Sequence, residues 1–158
     1  MHPILNLTPQ IWVSSPSILA LTNSLYTSIE GLNAMKIKQI SIYADETGGS
    51  HFRDMDIEIH ESIIGPGIPP LGASSSFATQ SAYLLTFPPG IQMDWHPAPG
   101  RLFHFFLAGQ CEVIVSDGET RNFHQGDIVL AEDTTGKGHM TSNPGAVETL
   151  MVVVALPD

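Results

Sequence analysis

Apolar and polar residues alternate with a period of two along much of the chain after Lys38. The alternation is clear in residues 39–42 and 55–60, and it is the pattern of strands that bury one face. Further short apolar segments follow in the second half. Turn signals separate them, such as Asp117 followed by Gly118, a dipeptide typical of a type I′ hairpin. Regular short strands joined by tight turns predict an all-β sandwich or barrel.

The first 34 residues follow a different pattern. Apolar residues recur there at helical spacing, namely Ile18, Leu21, Leu25, Ile29 and Leu32. Ser15 suits a helix N-cap, Pro16 the first turn and Gly31 the end of the helix. We therefore expect a helical N-terminal extension in residues 1–34 and a barrel domain in residues 35–158. Met35 would serve equally well as a translation start, so the sequence leaves open whether the extension belongs to the native product.

The composition narrows the class of protein. A chain of 158 residues suits a single core, and 14 Gly and 12 Pro suit many short strands. Sixteen acidic residues against six basic ones give a net charge of -10, which opposes binding to nucleic acid and to anionic lipid. A single cysteine excludes an internal disulfide, and no apolar run approaches the roughly 18 residues of a membrane span. Because no Lys or Arg precedes Lys36, a secretory signal is not expected, and the predicted location is the cytoplasm.

Two spaced motifs carry the candidate chemistry. The first runs Gly, five residues, His, one, His, three or four, Glu, six, Gly. In this chain Gly90, His96 and Gly109 fall on that spacing. Ala98 stands where the second His belongs, and Leu102 stands where the Glu belongs.

The second motif runs Gly, five residues, Pro, one, Gly, two, His, three, Asn. Gly126 and Asp127 open it in this chain, and His139 and Asn143 close it with the right mutual spacing. The segment between them is two residues longer than the motif, and Glu132 replaces the Pro.

Residues 90–143 thus resemble the cupin superfamily of small barrels. The likeness is to RmlC-like proteins of the cupin 2 conserved-barrel type, and within them to small bacterial proteins with HPAPR and EDTTGKGH signatures. Here these signatures read WHPAPGR and EDTTGKGH. The resemblance implies a double-stranded β-helix, or jelly-roll, barrel and a homodimer.

In metal-bearing cupins, three His and one Glu project into the barrel and hold a divalent ion. The resemblance therefore implies a degenerate site for Fe, Ni, Mn or Zn around His96 and His139. His104 lies two residues beyond Leu102 on the same predicted strand face, which makes it a candidate replacement ligand. The residues expected to line or support the pocket are Asp94, Ala98, Leu102, Phe106 and Asp133.

Each histidine also has a purely structural interpretation. His104 lies among Phe103, Phe105 and Phe106, and it could be a core histidine that is hydrogen-bonded to the backbone. His51, His60 and His124 are predicted to be surface or strand-edge residues.

The leading function hypothesis is a cupin that binds a small molecule. One form of it is a metal-dependent enzyme of the oxygenase or isomerase class, and the alternative is a metal-free ligand-binding or sensory module. A structural or interaction role is a third possibility. The sequence does not decide whether the protein is an enzyme. It contains no GxSxG, P-loop, GxGxxG or CxxC, so hydrolase and nucleotide chemistries lack support.

Overall fold

The computed structural model describes residues 35–158, and the helix predicted in residues 1–34 lies outside them. The described residues contain strands, turns and loops, which confirms the all-β prediction. Eleven strands follow one another: β1 (Met35–Ala44), β2 (Ser50–Ser62), β3 (Leu71–Ala73), β4 (Ser81–Phe87), β5 (Gln92–His96), β6 (Leu102–Ala108), β7 (Gln110–Ile114), β8 (Thr120–His124), β9 (Ile128–Glu132), β10 (His139–Ser142) and β11 (Thr149–Ala155). Residues 35–158 contain no helix that is long and apolar enough to cross a bilayer.

The strands form two sheets. The larger has seven strands in the order β3-β2-β1-β9-β6-β11-β4, and the smaller has four in the order β5-β10-β7-β8. From β5 onward the chain passes repeatedly from one sheet to the other, which is the winding of a jelly roll. The β1–β9 pair is parallel, whereas the pairs that hold the smaller sheet together are antiparallel.

The main core lies between the two sheets. Its buried side chains come from the inward face of both: Ile42, Phe52, Leu102, Phe106, Val129, Met151 and Val153 from the larger sheet, and Cys111, Val113 and Phe123 from the smaller one. Strand β11 illustrates the period of two, because Thr149, Met151 and Val153 are buried while Leu150 and Val152 are half-buried. Full burial of each such side chain stabilises the fold by roughly 1.5–3 kcal/mol.

A second, smaller cluster covers the outer face of the larger sheet. Phe103, Leu130 and Leu156 are buried there, and the Phe77 ring packs against Phe103 with 5.0 Å between ring centroids. Strand β6 is therefore covered on both faces, which explains why its sequence is apolar at almost every position.

Candidate functional site

A cavity of about 320 Å³ lies inside the barrel, between the two sheets. Most of its wall is aliphatic or aromatic, including Ile42, Leu85, Phe106, Val129, Met151, Val113 and Phe123. The polar groups in the wall are His96, His104, His139, Thr141, Tyr83 and Cys111. Residues 35–158 contribute no Asp, Glu, Lys or Arg to this wall. The cavity is thus largely apolar, and imidazoles are its main polar groups.

His96 and His139 lie side by side at the end of the smaller sheet. His96 is the last residue of β5, His139 is the first residue of β10, and the two are direct partners in the antiparallel register. Their ring centroids are 4.7 Å apart and the ring planes are tilted by 54°. The two motifs therefore meet in space at their histidines.

A β-bulge in β5 aims His96 into the cavity. From Met93 to His96 this strand takes three residue steps, while its partner takes two, from Thr141 to His139. As a result Met93 and His96 both line the cavity, although regular alternation would place them on opposite faces. Asp94 was predicted to share the face of His96, and here the structure corrects the prediction. Its side chain is exposed, outside the cavity wall, and accepts a hydrogen bond from the Trp95 N–H.

Each of the paired histidines has its Nδ1 bound outside the cavity. Nδ1 of His96 is 2.6 Å from the backbone oxygen of Asp94, and Nδ1 of His139 is 2.7 Å from Oδ2 of Asp133. The carbonyl oxygen of Asp94 accepts, as does the Asp133 carboxylate in its ionised form, so both Nδ1 atoms carry the hydrogen and both Nε2 atoms keep a lone pair when the rings are neutral. The hydrogen-bond partners thus assign the same tautomer to both rings.

Asp133 supports His139 from behind the ring. It was predicted as part of the pocket, but it does not line the cavity and is completely buried. Its backbone oxygen accepts a hydrogen bond from the Ala98 N–H, which ties the loop before β10 to the residues after β5. Its Oδ1 is the one buried side-chain oxygen or nitrogen within residues 35–158 that lacks a hydrogen-bond partner.

Two glycines allow the loop before β10 to lie against neighbouring backbone. Gly138 has φ +70°, and a Cβ added there would overlap the carbonyl group of His96. Gly136 has φ +75°, and a Cβ there would overlap the backbone of Gly48. Only glycine combines a positive φ with so close an approach. The GKGH sequence therefore brings His139 next to His96.

Among known proteins, only solved structures show a likeness to this chain. No protein-family model matches the chain, and no curated protein matches it. Among solved structures, the chain is similar to a cupin 2 conserved barrel domain protein from Salinispora arenicola CNS-205. That likeness has 21% identity over 64% of this chain and 76% of that chain, with a TM-score of 0.42.

Two further solved structures are similar at the same level. A cupin domain from Bordetella pertussis Tohama I is 20% identical over 49% of this chain and 80% of that chain, with a TM-score of 0.40. The DMSP lyase DddQ from Ruegeria pomeroyi DSS-3 is 24% identical over 60% of this chain and 44% of that chain, with a TM-score of 0.43. These likenesses concern the fold alone.

The chain itself provides the deciding observations. Its strands wind between two sheets as a jelly roll, and the histidines of the two motifs, His96 and His139, are register partners facing one cavity. The domain is a jelly-roll barrel. The predicted jelly-roll fold is therefore confirmed, and the motif positions can be compared with the metal site that the cupin resemblance implies.

The cupin motif positions in this barrel do not assemble a metal site of the usual kind. Ala98 and Leu102, at the second His and the Glu positions, are 4% and 9% exposed and line the cavity. Within residues 35–158, no three His, Cys, Asp or Glu side chains are arranged so that they could hold a metal ion. Two neutral imidazoles without a carboxylate do not fit the group that the resemblance implies.

His104 enters the same cavity from β6, on the face that also carries Leu102 and Phe106. These three residues share a face as predicted. Burial, together with the positive charge that His139 would carry if it were protonated, lowers the pKa of His104 to about 4. The His104 ring is therefore neutral at pH 7. It lies in the same cavity as the paired histidines without completing a metal site with them.

Several residues of the cavity wall were not predicted as site residues. Thr141 lies two residues after His139 on β10, so the period of two could have identified it. Tyr83 and Met93 come from β4 and β5, and only the bulge and the sheet order bring them to the cavity. Cys111 also lines it, and burial raises the pKa of its thiol to about 12, which makes it a weak nucleophile.

A further cluster of charged groups lies between two turns. His51 was predicted to be a surface or strand-edge residue. Its Nε2 is 2.8 Å from Oδ2 of Asp45, and its Nδ1 is 2.7 Å from Oδ2 of Asp117. These two hydrogen bonds raise the pKa of His51. The imidazole joins the β1–β2 turn to the β7–β8 turn, and hence the larger sheet to the smaller one.

Proposed function

We propose that this cupin barrel binds a small, largely apolar organic molecule in its cavity without the help of a metal ion. The observation that carries the proposal is the cavity wall. Apolar residues, Ala98 and Leu102, stand at the second His and the Glu positions of the first motif. Residues 35–158 supply no carboxylate to the wall. A volume of about 320 Å³ is at the lower end of the range for small-molecule sites.

The energetics favour an apolar ligand. Removing apolar surface from water contributes roughly 25 cal/mol per Å², whereas an ion in this cavity would lose its hydration without gaining a counter-charge from the wall. The few polar groups, His96 and His139 above all, are suited to orient such a ligand.

A metal-dependent enzyme is the second candidate, and one observation favours it. Both paired histidines hold their Nδ1–H on an oxygen, and Asp133 gives His139 the carboxylate support that metal-bound imidazoles commonly have. The donor set is nevertheless short of the negative charge that a divalent ion needs. We therefore rank this candidate below metal-free binding.

Metal analysis of protein purified without a His tag separates the two candidates. Metal-free binding predicts the same near-zero content of Fe, Ni, Mn and Zn in the native protein and in a His96→Ala, His139→Ala double variant. Stoichiometric metal in the native protein that disappears in the double variant would overturn the proposal in favour of the enzyme.

A thermal-shift screen of small organic molecules tests the binding itself. A ligand present at 100 times its Kd stabilises the folded state by about 2.7 kcal/mol, so a true ligand gives a clear shift. We expect the shift to be the same with and without chelator. A shift that chelator abolishes would contradict metal-free binding.

A further inference from the structure

We infer that the ligand of this cavity carries a hydroxyl group, as an alcohol or a phenol does, and donates its hydrogen to Nε2 of His96 or His139. The inference rests on the proposed function, since it names the chemical class that the same cavity would bind. It follows from which ring nitrogen of each histidine carries the hydrogen.

The backbone oxygen of Asp94 fixes the tautomer of His96. A carbonyl oxygen can only accept, so the atom 2.6 Å away, Nδ1, must donate. A neutral imidazole has one N–H, and Nε2 of His96 is therefore an acceptor.

The carboxylate of Asp133 fixes the tautomer of His139 in the same way. Its Oδ2 lies 2.7 Å from Nδ1 of His139, and the Asp133 side chain is fully buried. Nε2 of His139 is thus a second acceptor, on the ring edge opposite to the carboxylate.

Both Nε2 atoms are available to a ligand. Within residues 35–158 neither has a hydrogen-bond partner, and both rings line the cavity. The ring centroids are only 4.7 Å apart, so the two lone pairs serve one end of the cavity. A ligand group next to the two Nε2 atoms must be a hydrogen-bond donor, because an oxygen without a hydrogen would be repelled by their lone pairs.

The remaining polar groups of the wall do not alter this preference. The hydroxyls of Thr141 and Tyr83 can donate or accept, so they adapt to either kind of ligand. His104 is neutral, and the described wall has no Lys or Arg to balance an anion. A carboxylate ligand therefore meets no cation among these residues, whereas a hydroxyl has two fixed acceptors.

Matched aromatic probes test the inference. The fused-ring set is 2-naphthol, 2-methoxynaphthalene and 2-naphthoate, and the single-ring set is phenol, anisole and benzoate. Affinities are measured by calorimetry in mildly alkaline buffer, where exposed histidines are neutral. We expect the hydroxyl compound of a set to bind about tenfold more tightly than its methyl ether, the effect of one buried hydrogen bond. We expect the carboxylate to bind more weakly still.

The outcomes separate the two proposals. If the ether or the carboxylate binds as tightly as the hydroxyl compound, the inference is overturned while the proposed function stands. If no compound of either set binds, the proposed function is overturned and the inference with it.

A variant pair locates the effect. His96→Phe keeps a ring of similar shape but removes one acceptor, and its Nδ1 partner is a backbone oxygen near the surface. We expect this change to cut naphthol affinity several-fold and to leave the affinity for the ether nearly unchanged. His60→Phe, at an exposed position of β2, is the matched control and should change neither. Equal losses for both probes in His96→Phe would overturn the inference.

The tautomers can also be measured directly. Long-range proton–nitrogen correlation spectra of protein labelled with ¹⁵N at histidine distinguish Nδ1–H from Nε2–H rings, and His96→Phe assigns one signal. We expect Nδ1–H for both His96 and His139 without ligand. An Nε2–H ring at either position would overturn the inference whatever the probes show.

Discussion

Replacing Gly138 by alanine would place a methyl group against the backbone that carries His96. Gly138 has φ +70°, and the added Cβ would overlap the carbonyl of His96 and the nitrogen of Pro97. All of these are backbone atoms, so the overlap cannot be relieved by turning a side chain. Gly118, in the β7–β8 turn, is a matched control, because it also has a positive φ, +96°, but no atom within 4 Å of an added Cβ.

The expected loss of stability follows from two contributions. A residue with a Cβ in the left-handed region costs roughly 1–2 kcal/mol, and the stiffer unfolded chain offsets about 0.4–1 kcal/mol of that. Gly118→Ala should therefore lower the free energy of unfolding by about 1 kcal/mol. Gly138→Ala adds the cost of forcing backbone apart, which is typically about 1–3 kcal/mol for overpacking. We expect a total loss of about 2–4 kcal/mol.

Urea unfolding of the two variants measures these losses, and probe binding measures the consequence for the site. Because Gly138 lies where β10 meets β5, Gly138→Ala should also move His139 away from His96 and weaken binding of 2-naphthol. Gly118→Ala should leave that binding unchanged. If the two variants lose equal stability and both bind the probe like the native protein, the close approach at Gly138 does not position the histidine pair.

Three further predictions concern single side chains. The pKa of His51 is raised from 6.5 by Asp45 and Asp117, so the stability it contributes is complete below 6.5 and is lost as the pH rises through the raised value. His51→Gln should remove that part of the pH dependence, and an unchanged urea-midpoint profile would contradict the bridge. The pKa of His104 is lowered from 6.5 to about 4 by burial, so its contribution is complete above 6.5 and is lost as the pH falls toward 4. His104→Phe should flatten the acid limb of the same profile, and a native-like limb would contradict burial of the ring. Burial raises the pKa of the Cys111 thiol to about 12, so iodoacetamide should modify it in urea and not in the native protein, as mass spectrometry would show.

Short-range rules predict the strands of the barrel, whereas the grouping of His96 with His139 is what the cupin resemblance implies. Strand period and hairpin glycines are local properties that predict where the strands lie, and the motif spacing carries the resemblance that implies inward-facing histidines. The period of two also predicts correctly that Leu102, His104 and Phe106 share the cavity face. These agreements need no knowledge of distant contacts.

The errors occur where the local rule is broken or where distant segments meet. A bulge in β5 reverses the expected face of Asp94, and alternation alone carries no signal for a bulge. The position of Asp133 behind His139 depends on how the longer loop folds over Gly138. The contact of His51 with Asp117, 66 positions along the chain, was not predicted, because strand period gives no information on such distant pairs.

Asp133 gives a physical reason to regard the histidine pair as a retained site. Its carboxylate is fully buried, and one oxygen has no hydrogen-bond partner in the described residues, which costs roughly 1–3 kcal/mol. An apolar side chain would avoid that cost if the barrel needed only a packed interior, as Ala98 and Leu102 already provide at two motif positions. What the carboxylate supplies is a fixed Nδ1–H on His139, which leaves Nε2 as the acceptor of a ring that lines the cavity. The barrel therefore has apolar residues at two motif positions, Ala98 and Leu102, and also a buried Asp133 carboxylate that lowers its stability. Such a destabilising polar group is typical of binding sites rather than of cores.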